Sequence, residues 1–208
     1  DGGGKRDLAS ARLGGLEIQV NAQQAATSSN VAWLAVQDGL ALQRRAAAAL
    51  GAGDAEAAVT FFDRADSAFA AAEKEDPRWG EPIVRRASLA YARSRTFGRN
   101  TLLIKPWVAL SITHADRALA LNAEDADALE ARGTTRVFSF LQGVPEEQDK
   151  PAELQKAIDD LRKSTTINRA QAGAWASLSA AYYSDPASPL SEVTTAAQMS
   201  LAADEFLL

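Results

Sequence analysis

The chain has 208 residues, enough for one large domain or a short repeat array with a real core. It is 47% hydrophobic and 24% charged, with a net charge of −5. That balance excludes a general nucleic-acid binder and an anionic membrane surface as the main partner, because both call for a basic face. The chain contains no cysteine, which excludes disulfides, thiolate catalysis and cysteine metal sites. No run of about 18 apolar residues is present, so no membrane insertion is expected, and the opening residues do not read as a secretory signal. No compartment follows from these properties.

Asp1 is followed by Gly2, Gly3 and Gly4, which reads as a flexible linker in a processed protein or an excerpt of a longer one. Residues 1–30 are expected to form this linker and an irregular lead-in helix over 7–26, broken at Gly14–Gly15. Thr27, Ser28, Ser29 and Asn30 offer N-caps for a helix at 31–51. Gly51 and Gly53 end it, and Asp54 caps the next, at 54–75. Asp76-Pro77 breaks the chain before a helix at 80–97, which Gly98 closes. Pro106 and Pro151 suit first helical turns, where a missing N–H costs nothing, so helices are expected at 106–121 and 151–167. That placement leaves two long loops, about 96–105 and 142–150. Further helices at 125–141, 171–184 and 189–206 complete a set of eight.

The strongest signal is internal repetition. Asp76, Asn122 and Asn168 are spaced by 46 residues, and the same step relates Ala72, Ala118 and Ser164; Ile83, Leu129 and Trp175; and Ala87, Gly133 and Ser179. A fixed period of this size with two helices per unit predicts a stacked α-solenoid. Trp175-x2-Leu178-Ser179-x2-Tyr182 resembles the first-helix signature of tetratricopeptide repeats, with Ser for the usual Gly. Leu129-x2-Arg132-Gly133-x2-Arg136 keeps the Gly and loses the aromatics. Gly53-Asp54-x-Glu56-Ala57-Ala58, with Phe62, Ala65, Phe69 and Ala72 behind it, resembles the turn and second helix of such a repeat. The resemblance covers 31–208 as four units, about 31–79, 80–124, 125–170 and 171–208. It implies an all-α solenoid of helix-turn-helix units, with long helices and extended loops inside the units where this chain exceeds the family's roughly 34-residue repeat.

In that family the first helices of successive units line a concave groove that holds peptides. The resemblance therefore places Glu81, Arg85, Ser88, Tyr91 and Arg95 on the groove in one unit. It adds Glu130, Thr134, Val137 and Phe138 in the next, then Ala176, Ala180 and Tyr183. Some members grip a peptide's terminal carboxylate with Lys and Asn side chains; no Asn stands at these positions here. The implied function is a non-catalytic interaction or scaffold module binding a protein or peptide ligand without cofactor or metal. Helices such as His114–Asn122 and Asp125–Thr134 also resemble repeat regions attached to bacterial serine/threonine protein kinases, which gives a regulatory appendage of a larger signalling protein as the alternative. A small-molecule sensor, with a deep pocket near Tyr91 and Trp107, is another.

Several constellations are weighed against plainer readings. His114, the only histidine, is expected on the flank of a helix rather than as a proton shuttle or ligand. Gly2-Gly3-Gly4-Lys5 lacks the Ser or Thr and the preceding strand of a phosphate loop. Arg85, Arg86, Arg93, Arg95, Arg99 and Lys105, interleaved with Tyr91, Phe97 and Trp107, are a candidate pocket for an acidic peptide, or simply a solvated helix edge. Trp175 is expected to pack in the core of the last unit. The terminal Phe206-Leu207-Leu208 is expected to dock on the preceding pair or to form a homo-oligomer through the last helix. The two long loops, one basic and one acidic, are expected to be neighbours on one edge of the array.

Overall fold

A computed structural model describes residues 29–205; the expected lead-in helix at 7–26 and the Phe206-Leu207-Leu208 end lie outside the described residues. Among those described, the fold is all helical: α1 (29–51), α2 (Ala55–Glu75), α3 (Gly80–Ser94), α4 (Thr101–Leu121), α5 (Ala126–Leu141), α6 (Lys150–Ile167), α7 (Ala172–Ser184) and α8 (Leu190–Glu205). None of them is long and apolar enough to cross a membrane.

The 46-residue step is visible in backbone geometry. Asp76, Asn122 and Asn168 each leave the helix with extended backbone (φ −133°, −145° and −131°). Each donates its N–H to the carbonyl four residues back, on Ala72, Ala118 and Ser164. Each side-chain oxygen accepts the N–H two residues on, from Arg78 at 3.2 Å, Glu124 at 3.0 Å and Ala170 at 3.1 Å. A short Asx side chain satisfies the backbone in this way where the helix ladder ends. The helices that follow begin at Gly80, Ala126 and Ala172, the same step apart.

Consecutive helices pack antiparallel. In α3 and α4, Ile83 lies with Ala118 while Ala87, one turn later, meets Ser111, one turn or more earlier. In α5 and α6, Gly133 sits against Leu161: a β-carbon at Gly133 would lie 2.6 Å from the Leu161 Cγ, so only glycine lets the two axes come this close. Alternate helices run parallel, since α3–α5 and α5–α7 meet at matching depths: Tyr91 with Phe138, and Thr134 with Ser177. The buried apolar residues fall into separate clusters along these contacts. Val36, Phe62, Phe69 and Leu89 join α1, α2 and α3, and Val137, Leu154, Leu161, Leu178 and Tyr182 join α5, α6 and α7.

Two boundary expectations need correction. α3 stops at Ser94 and continues as a single 3₁₀ turn, Arg95–Phe97, before Gly98 turns the chain at φ +60°, a value that favours glycine. α4 begins at Thr101, not 106, because Asn100 supplies the cap: its side chain accepts the Leu103 N–H at 3.4 Å. Pro106 is therefore the sixth residue of α4 rather than a first-turn residue, and the expected long loop at 96–105 is mostly helix. The missing N–H leaves the Leu102 carbonyl without its helical partner, at a residue that is 83% exposed. The second loop does span 142–149. Since α3 and α5 are parallel, both connections leave on the same edge. The acidic one closes on itself, Glu147 pairing with Lys150.

Candidate functional site

Between the parallel helices α3 and α5 lies a cavity of about 250 Å³. Arg85, Ser88 and Tyr91 project from α3 at intervals of three, and Asp127, Glu130 and Thr134 from α5 at three and four, so each set lies on one helix face. The sequence resemblance named five of these six. Asp127 was missed, although it stands 46 residues after Glu81 and so carried the same signal.

Each wall is held in place. The Arg85 guanidinium donates to its own helix at Glu81 Oε1, 3.0 Å away. The Thr134 hydroxyl donates to Ser177 Oγ on α7 at 2.8 Å, and Asp127 accepts from the side-chain amide of Gln171. The Tyr91 ring meets Phe138 edge-on, with centroids 5.6 Å apart at 85°. The Arg95 guanidinium lies 5.8 Å from the Tyr91 centroid. Burial raises the Tyr91 phenol above its ordinary value, with Arg95 opposing the shift. Phe138 and Arg95 thus touch Tyr91 but do not line the cavity. Tyr183 does not join it; that ring is 80% exposed.

Glu130 is the most perturbed group. Its carboxyl rests over Gly173 of α7, where a β-carbon would collide with Oε1. Burial, assisted by the nearby Asp127 charge, pushes Glu130 up to about 7. A second hollow, about 430 Å³, continues the surface towards the helix starts and shares Val84, Arg85 and Asp127 with the first.

Other expected groove positions differ. Val137 is buried, because residues 133 and 137 share the face of α5 that packs on α6. Ala176 is exposed, and Ala180 packs against the core instead. The basic run is split between two faces of α3. Arg85 and Tyr91 face α5, while Arg95, in the turn after α3, lines a cavity with Gln43, Ala47 and Leu50 of α1. Arg86 and Arg93 face α2 and α4, where Arg86 binds Asp66 at 2.8 Å and Glu73 at 3.0 Å, and Arg93 pairs with Asp63 and stacks 4.1 Å over Trp107. The run therefore does not form one pocket. Tyr91 and Trp107 line separate cavities, the latter about 330 Å³.

The lone histidine also departs from expectation. His114 is buried, not on a flank; its Nδ1 lies 3.2 Å from Arg117, and its Nε2 has no partner. Burial, then the Arg86 charge, lowers its pKa. The 46-residue step explains the position: His114 stands where Asp160 stands one unit later, and Arg86 where Arg132 stands. In the later unit Arg132 grips Asp160 at 2.9 and 2.6 Å, and Arg136 joins them. In the earlier one Arg86 turns to the carboxylates of α2 instead.

Trp175 is half-buried. Its indole N–H donates to the Arg169 carbonyl at 3.0 Å, and its ring walls a cavity of about 400 Å³ with Leu178 and Tyr182. Among the described residues, no three His, Asp or Glu side chains come together as a metal site. No protein-family model matches the chain, and none of the curated proteins matches it.

Proposed function

We propose that the chain is an α-solenoid of about four tetratricopeptide-type units that works as a non-catalytic interaction module, holding an extended segment of a partner polypeptide along α3, α5 and α7. The observation that carries this reading is the convergence of Arg85, Ser88, Tyr91, Glu130 and Thr134 on one cavity between two parallel helices. These residues lie on three-and-four spacings, so they present a strip of hydrogen-bonding groups, flanked by Val84 and Ala131. Such a strip suits a peptide backbone and its side chains. The equivalent turns at Asp76, Asn122 and Asn168 support a unit of 46 residues.

The test is selection of random dodecapeptides on the immobilised full chain. Thr134→Arg, which places a long side chain in the cavity, should weaken the selected peptides by about tenfold or more. Lys156→Glu, on the exposed side of α6, should leave them unchanged. Peptides that bind Thr134→Arg as well as the parent chain would move the binding face elsewhere.

A further inference from the structure

The groove is asymmetric in charge. Along the two joined hollows stand four carboxylates, Glu81, Asp125, Asp127 and Glu130, against two guanidiniums, Arg78 and Arg85. Two of the carboxylates are already engaged: Glu81 by Arg85, and Asp125 as the cap of α5, accepting the Ala128 N–H at 3.0 Å. Asp127 has only the neutral amide of Gln171, and among the described residues Glu130 forms no ion pair; Arg85, which lines the same cavity, is bound to Glu81. The arginines nearby in sequence are occupied elsewhere. Arg86 and Arg93 are tied to α2, and Arg132 and Arg136 to Asp160. The cavity thus holds two neighbouring carboxyls that form no ion pair, beside the Tyr91 ring and the Ser88 and Thr134 hydroxyls, while Arg85 on the α3 wall is bound to Glu81.

We infer that this cavity is a specificity pocket for a basic side chain, Lys or Arg, of the bound peptide. The inference rests on the peptide-groove reading. Charge complementarity supplies the reason: a cation entering here meets the Asp127–Glu130 pair, and its alkyl stem lies along Val84 and Ala131. The ring of Tyr91 adds a face that attracts cations. A cavity near 250 Å³ accommodates one long side chain, not a folded partner element. An acidic residue at this point would face two carboxyls and be rejected.

The experiment uses peptides recovered from selection on the full chain, synthesised with Lys, norleucine or Glu at the position most sensitive to Thr134→Arg. Affinities are measured at pH 8, where Glu130 is ionised. The Lys peptide should bind on the order of tenfold more tightly than the norleucine peptide, and the Glu peptide more weakly still. Glu130→Gln and Asp127→Asn should each erase most of the Lys-over-norleucine preference, read as the ratio of the two affinities on the same variant. A cooperative urea transition for each variant shows that it is folded. Equal affinity for the Lys and norleucine peptides, or a preference for Glu, overturns the basic-pocket inference and leaves the groove intact. Failure to select any peptide sensitive to Thr134→Arg overturns the groove reading and this inference with it.

Discussion

Glu130→Gln isolates the energetic cost of placing a carboxylate in the groove. The group moves from an ordinary value near 4.5 to about 7, a displacement of about 2.5 units in favour of the protonated form. At 1.36 kcal/mol per unit this corresponds to about 3 kcal/mol. The sign follows from proton binding. Between those two pH values the folded chain holds a proton that the unfolded chain has released, so this part of the stability is complete below about 4.5. It is lost as pH rises through about 7. Glutamine keeps the shape and cannot ionise. Urea denaturation of both proteins from pH 5 to pH 8.5 should show their stabilities diverging with pH, the variant gaining about 2–3 kcal/mol relative to the parent by pH 8.5. Taking the difference between the two removes other titrating groups. A difference that stays constant across the range would refute the account, and with it the burial of this carboxyl over Gly173.

Gly133→Ala tests the closeness of α5 and α6. The added β-carbon would meet Leu161 Cγ at 2.6 Å and the Ala157 backbone oxygen at 3.2 Å. The resulting overpacking, about 1–3 kcal/mol, should exceed the roughly 1 kcal/mol that alanine brings to a helix, so Tm should fall; a rise would place the helices farther apart than described. His114→Gln tests the buried imidazole. Its pKa is lowered, so the parent should lose stability as pH falls below about 6.5, when the unfolded chain takes up the proton first. The variant's pH profile, measured by thermal melts from pH 7.5 to pH 5, should be flatter on the acid side, and identical slopes would remove His114 from the account.

The sequence carried the periodic parts of this molecule and missed what depends on neighbours. Asp76, Asn122 and Asn168 announce their turns because a short Asx side chain closes a local hydrogen bond in sequence. Asp54 likewise caps α2 as expected, accepting the Ala57 N–H at 2.9 Å. Pro106 misled because its first-turn preference was outweighed by the Asn100 cap, which starts α4 five residues earlier. The cavity-lining residues Arg85, Ser88, Tyr91, Glu130 and Thr134 were legible because helix periodicity fixes which side chains share a face. Val137 was misassigned because the choice between two adjoining faces of α5 depends on where α6 lies. The basic run misled for the same reason: its arginines find their carboxylates on other helices, and linear order does not reveal such pairings.

The repeated turn has a consequence for how such a chain can change. Backbone amides and three Asx side chains set the step from α3 to α5 to α7, and none of these three residues lines the cavity between α3 and α5, although Asn122 lines the adjoining hollow. Positions such as 85, 88, 130 and 134 can therefore be rewritten without disturbing the spacing that makes them neighbours. The turns hold the spacing, and the faces between them are left to vary. Two chains sharing this 46-residue metre could retain one architecture while presenting quite different surfaces.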